Sequence, residues 1–163
     1  QAGTQFYMPD QIGMSKVEAL QYNIYKWFNR EIKIIEGELT KESSNSWIVK
    51  PRFDRQDLII DCFDNYQARL AISDFVEGES GPPALLHLGF SDQFTFATEW
   101  EEKNYNYKVP SDITSDFDIC EAVGAASFVK MVASLGSLVV QEFIENGNRL
   151  EFVGNKFNFV KIQ

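Results

Sequence analysis

Apolar and polar residues alternate with a period of two along much of this chain. That pattern constrains the fold more than any other, because it describes sheet strands with one buried face. Leu85 to Phe90 and Gln93 to Trp100 form the clearest pair, with Phe94, Phe96, Thr98 and Trp100 on one face. Leu58 to Phe63 reads as a buried strand, followed by a turn at Asp64-Asn65-Tyr66. Ala68, Leu70 and Ile72 then alternate with Arg69, Ala71 and Ser73, as in a half-buried antiparallel strand. The loop EGESGPP at 77–83 excludes regular structure through its Gly and Pro residues. Tyr105, Tyr107 and Val109 alternate up to Pro110. Leu150 and Phe152, then Phe157, Phe159 and Ile162, form a hairpin turning at Gly154-Asn155. Leu138 to Ile144 fits a short helix or a strand. Asn146-Gly147 directly after it, the usual two-residue hairpin signal, favours the strand.

Two stretches carry the helical period instead. Ser15-Lys16-Val17-Glu18 matches S-x-x-E, in which the two side chains satisfy opposite backbone donors at a helix start. Val17, Leu20, Ile24, Trp27 and Phe28 follow as one apolar stripe, so a helix runs to about Arg30. Ile32 and Ile35 either extend it to Gly37 or open a strand over 33–41. The strand is preferred, because Trp47 to Phe53 needs a partner and Ser43-Ser44-Asn45 supplies a turn. The second helix spans Asp116 to roughly Ser134, with Gly136 ending or kinking it. The expected architecture is α+β: a mostly antiparallel sheet with two main helices packed on one face. Residues 1–13 carry no period and are expected to be a flexible tether to a single domain over 14–163.

Function is constrained mainly by exclusion. A nucleophile triad needs an imidazole, and His87 is the sole histidine. It sits in Leu85-Leu86-His87-Leu88, facing away from Leu86 and Leu88, which fits a hydrogen-bonded sheet residue. A catalytic role would require it to face a cleft beside a carboxylate. GxGxxG and GxxxxGK[ST] are absent, and Gly78-Glu79-Ser80-Gly81 lies among acids that repel phosphate. Asp112, Asp116 and Asp118 lack calcium-loop spacing. Asp57, Asp61 and Asp64 surround the first central strand. Asp61 with Asp74 would make a carboxylate pair for acid–base work or Mg²⁺, against the simpler reading of a solvated face with Arg69 as cross-strand partner. Cys62 and Cys120 belong to no C-x-x-C and are expected as unpaired, core-like thiols. No catalytic residue, metal site or cofactor is therefore expected.

Charge is the remaining signal. The chain of 163 residues holds 24 Asp+Glu against 15 Lys+Arg, a net charge of −9, which disfavours nucleic acid as a partner. Residues 16–52 hold 7 bases and 5 acids, whereas 54–79 hold 7 acids and 2 bases, and 92–121 hold 8 acids and 2 bases. In the last block acids interleave with aromatics: Glu99, Trp100, Glu101, Glu102, Tyr105, Tyr107, Asp112, Asp116 and Asp118. Carboxylates steer encounter with a basic protein, while Trp and Tyr supply buried anchors. These nine residues are the expected partner-binding surface, although strand alternation also offers Trp100 to the core. In size and acidity the chain resembles the immunity proteins with which bacteria neutralise secreted nuclease toxins. That resemblance is compositional and carries no residues over. It implies a non-catalytic, cytoplasmic inhibitor of a basic partner. The alternatives are a small-ligand-binding or hydrolase-like α+β pocket, and a structural or assembly subunit with a homo-oligomer. The longest apolar run, around Val123 to Val140, is interrupted by Ser, Lys and Gly, and no basic n-region with an apolar h-region opens the chain. A membrane partner is not expected.

Overall fold

The computed structural model describes residues 7–40, 57–77, 83–91, 93–101 and 122–162. Among them are three α-helices, α1 (Lys16–Phe28), α2 (Tyr66–Glu77) and α3 (Ala125–Asn146), and five strands. The strands are β1 (Leu58–Asp61), β2 (Ala84–Phe90), β3 (Thr95–Trp100), β4 (Phe152–Asn155) and β5 (Phe159–Lys161). They form one sheet in the order β1-β2-β3-β4-β5. β1 and β2 are parallel, and every other neighbouring pair is antiparallel. The α+β class and the mainly antiparallel sheet expected from alternation are therefore present. The parallel pair was not foreseen; it follows from α2, because parallel neighbours need a crossover rather than a tight turn.

α2 replaces the strand expected over 68–73. Its buried residues are Ala68, Ala71, Ile72, Ser73, Phe75 and Val76, and their three- and four-residue steps are helical. The chain is turned into the helix by Asn65, whose Oδ1 accepts the Ala68 N–H at 2.9 Å. Ile72, Phe75 and Val76 pack on Ile59 and Leu85, which are register partners on β1 and β2.

α3 covers the other face. Val139 packs with Leu86 and Trp100, while Phe128 and Val132 pack with Phe96. Leu85 and Leu86 are consecutive in β2, so α2 and α3 lie on opposite sides of the sheet. The two helices expected on one face are α1 and α3; α2, expected as a strand, is a third helix and covers the face opposite α3. Gly136, expected to stop or kink the helix, is buried within α3 against Leu88, whose Cδ1 a Cβ there would meet at 2.6 Å. Asn146-Gly147 is the helix end, not a hairpin: Gly147 has φ 73° and its N–H bonds to the Phe143 carbonyl. Leu138 to Ile144 is accordingly helical. α3 is long and apolar enough by length and composition to cross a membrane, yet its Phe128, Val132, Gly136 and Val139 stripe is buried in the chain's own core.

α1 begins as expected. Ser15 Oγ accepts the Glu18 N–H at 3.3 Å and donates to the Glu18 carboxylate at 3.0 Å, and the helix stops at Phe28, where Asn29 takes φ 49°. Its apolar stripe is not its buried face: Ala19 and Asn23 are buried, whereas Trp27 and Phe28 are 55% and 63% exposed. Residues 31–40 contain no strand, so the β assignment over 33–40 does not hold. Within residues 7–13 Gln11 alone is buried, against α1. Pro9–Gln11 form a short 3-10 turn, and Gln11 exchanges two amide hydrogen bonds with Asn23, at 2.7 and 3.0 Å. Asn23→Ala takes the Asn23 acceptor from Gln11 Nε2 in a buried site, while Gln11 Oε1 keeps the Met8 N–H at 2.9 Å. It should cost about 1–3 kcal/mol and expose residues 7–13 to proteolysis before the rest of the chain, as limited digestion of both proteins would show. The expected strand around Tyr105 and the first part of the expected helix, 116–121, lie outside the described residues. So does Trp47 to Phe53.

Candidate functional site

Among the described residues, the sheet buries ionisable groups at one position, the end of its parallel pair. Asp61 closes β1, and the β1–β2 register sets it directly beside His87. Both side chains point to the α2 side, because alternation sends Ile60 and Leu86 to the α3 side. Asp61 is 0% exposed and His87 is 6% exposed. One carboxylate oxygen of Asp61 accepts the Phe63 N–H at 2.9 Å; the other lies 2.9 Å from His87 Nδ1. An ionised carboxylate only accepts, so Nδ1 carries the hydrogen. In the neutral imidazole that leaves Nε2 as the acceptor. Nε2 lies over Gly89, where even a Cβ would approach it to 2.6 Å. Glycine is required here by space, not by backbone conformation.

His87 thus meets the condition stated from the sequence: it faces a cleft and stands beside a carboxylate. The cleft is a groove of about 270 Å³ lined by Arg69, His87, Glu99, Gly89, Ala97, Ser91 and Thr95, with Phe90 and Phe96 at its margins. β2–β3 register organises it in rows. His87 is opposite Glu99, and Gly89 is opposite Ala97, so a floor of small residues separates the charged end from Ser91 and Thr95. Those two hydroxyls are 2.7 Å apart. Arg69 overhangs from the first turn of α2 and donates its Nε–H to the Phe63 carbonyl at 2.8 Å. It is therefore a helix residue on the groove wall, not the cross-strand partner of Asp61. Asp74, the other half of the suggested carboxylate pair, lies half-buried on α2.

Cys62 follows Asp61 and is unpaired. Although the residue is exposed overall, partial desolvation and then the Asp61 carboxylate raise its thiol above the ordinary value. Such a thiol is protonated at neutral pH and is not an activated nucleophile. Cys120 lies outside the described residues. Among the described residues no group of three or more His, Cys, Asp and Glu side chains is placed to hold a metal ion.

The partner-binding residues expected from sequence divide unevenly. Glu99 is half-exposed on β3, at the groove. Trp100 is only 2% exposed: its Nε1–H donates to the Leu150 carbonyl at 3.0 Å and its ring lies 4.7 Å from that of Phe143. It is a core residue, as the alternation of β3 requires, and not a surface anchor. Glu101 is half-buried and accepts a long, 3.5 Å hydrogen bond from Ser73, linking the end of β3 to α2. Glu102, Tyr105, Tyr107, Asp112, Asp116 and Asp118 lie outside the described residues. Exposed aromatics do occur elsewhere, on α1: Trp27 and Phe28, which the spacing put on the apolar stripe, and Tyr22 and Tyr25, to which it gave no role. The capping box located that helix, but nothing in its spacing distinguishes a stripe facing the sheet from one facing solvent.

By topology and buried core this is an α+β domain with a mixed five-stranded sheet. No family model matches the chain, and no curated protein matches it either.

Proposed function

We propose that the chain is a non-catalytic, acidic protein-binding module that engages and neutralises a basic partner, in the manner of an immunity protein. The observation that carries this reading is the net charge of −9, gathered in residues 54–79 and 92–121. A field of one sign accelerates encounter with an oppositely charged protein and repels nucleic acid. The half-exposed aromatics of α1 add the type of side chain that supplies anchors in protein interfaces. Unlike the interleaved 92–121 block, they stand on a helix of nearly balanced charge, so they suit the buried centre of an interface rather than its steering rim.

The experiment is capture on the immobilised chain at low salt, elution by a salt step, and identification of retained proteins by mass spectrometry. A basic protein that elutes with salt and rebinds as a purified one-to-one complex is the expected result. Retention of only acidic or neutral proteins would overturn the reading. A second reading, a small-ligand pocket, is favoured by the Asp61–His87 pair at the groove.

A further inference from the structure

We propose that the groove beneath the first turn of α2 binds a small zwitterion of the α-amino-acid type. Its carboxylate would sit toward Arg69 and its ammonium toward Glu99, over Ala97 and beside the His87 ring. This site is independent of the protein-binding reading.

The walls of the groove carry opposite charges. Arg69 and Glu99 line the same 270 Å³ groove from α2 and from β3. Among the described residues neither forms an ion pair; Arg69 uses Nε to hold the Phe63 carbonyl. That hydrogen bond fixes the guanidinium plane and leaves its terminal N–H groups for a carboxylate, which a guanidinium recognises with two parallel bonds. Glu99 stands opposite His87 in the β2–β3 register and provides the counter-charge. A purely anionic ligand would meet Glu99, and a purely cationic one would meet Arg69. A ligand carrying both charges satisfies both walls.

The remaining lining limits size and shape. The His87 ring covers Gly89, and beside it Ala97 adds only a methyl group to the floor, so a ligand has room over Ala97 at the edge of the imidazole. His87 is held rigidly by Asp61, and a fixed polar group orients a ligand at little entropic cost. Ser91 and Thr95 close the far end with hydroxyls suited to a short polar side chain. Few pocket residues need to be polar for specificity, provided they converge.

His87 is the sole histidine, so its imidazole proton resonances report on the groove without assignment ambiguity. The test is a proton NMR titration of the intact chain with L-serine and L-alanine, alongside acetate and methylammonium as half-ligands. Saturable shifts of the His87 resonances are expected with the amino acids, and much weaker ones with either half-ligand. Arg69→Gln and Glu99→Gln should each raise the dissociation constant about tenfold, the typical effect of losing one charge-assisted contact. Gly89→Ala, which crowds Nε2, should abolish the response. Because that variant also strains the floor, Arg69→Gln and Glu99→Gln, at the groove wall, keep the test decisive if it fails to fold. No saturable shift with either amino acid, or an equal response to acetate, would overturn the proposal.

Discussion

Trp100→Ala should unfold the protein about 10 °C or more below the native chain, a loss of roughly 4 kcal/mol. The ring is fully buried between the sheet and α3, against Leu86, Val139 and Phe143. Its removal leaves a cavity that the close-packed sheet and α3 fill only in part. It also strands the Leu150 carbonyl that Nε1–H now satisfies at 3.0 Å. Trp100→Phe should lose much less, because it keeps most of the volume and forfeits chiefly the hydrogen bond. Thermal and urea unfolding of the three proteins measure this directly. The same variants settle a functional question. Were Trp100 a surface anchor for a partner, alanine would weaken binding while leaving the unfolding midpoint unchanged.

The second large effect concerns the buried pair. His87→Ala removes the group that meets the fully buried Asp61 carboxylate at 2.9 Å. An ionised side chain left in that site is costly, and a loss of about 3 kcal/mol is expected. Removing both partners, as in Asp61→Val with His87→Leu, should recover part of it, because the buried charge then disappears with its mate. The Phe63 N–H, which Asp61 now accepts, sets the limit of that recovery. A double-mutant cycle from chemical unfolding, with Asp61→Val and His87→Leu made singly and together, gives the coupling. Coupling near zero would mean that the pair holds nothing in place.

The elements legible in the sequence were those whose pattern had one solution. β2 and β3 alternate cleanly, and the Ser15–Glu18 box set the start of α1 to the residue. The hairpin of β4 and β5 was found, with its turn one or two residues further on, at 156–158. α2 was misread because Ala68, Leu70 and Ile72 satisfy a period of two, while Ala68, Ala71, Ile72, Phe75 and Val76 satisfy 3.6 equally well. The longer window decides, and Asn65 as a cap was the missed signal. Asn146-Gly147 misled for a related reason. A glycine with positive φ serves a hairpin and a helix end alike, and only the 22 residues of α3 before it decide between them.

The site was half visible. Alternation gave the side of the sheet that His87 faces, but its pairing with Asp61 depends on β1 lying parallel to β2. That neighbour relation is set by the α2 crossover, so misreading α2 as a strand concealed the pair. The acidic, aromatic block was legible as composition, whereas the fate of each side chain was not. The pleat of β3 put Trp100 in the core and left Glu99 at the groove, one residue away.

Association kinetics test the central claim most directly. The basic protein recovered by capture is purified, and its association rate is measured across salt concentrations against the native chain and a Glu102→Lys, Asp112→Lys variant. The account predicts that charge reversal slows association about tenfold at low salt, and that the two curves converge as salt screens the field. Equal rates at low salt would contradict it.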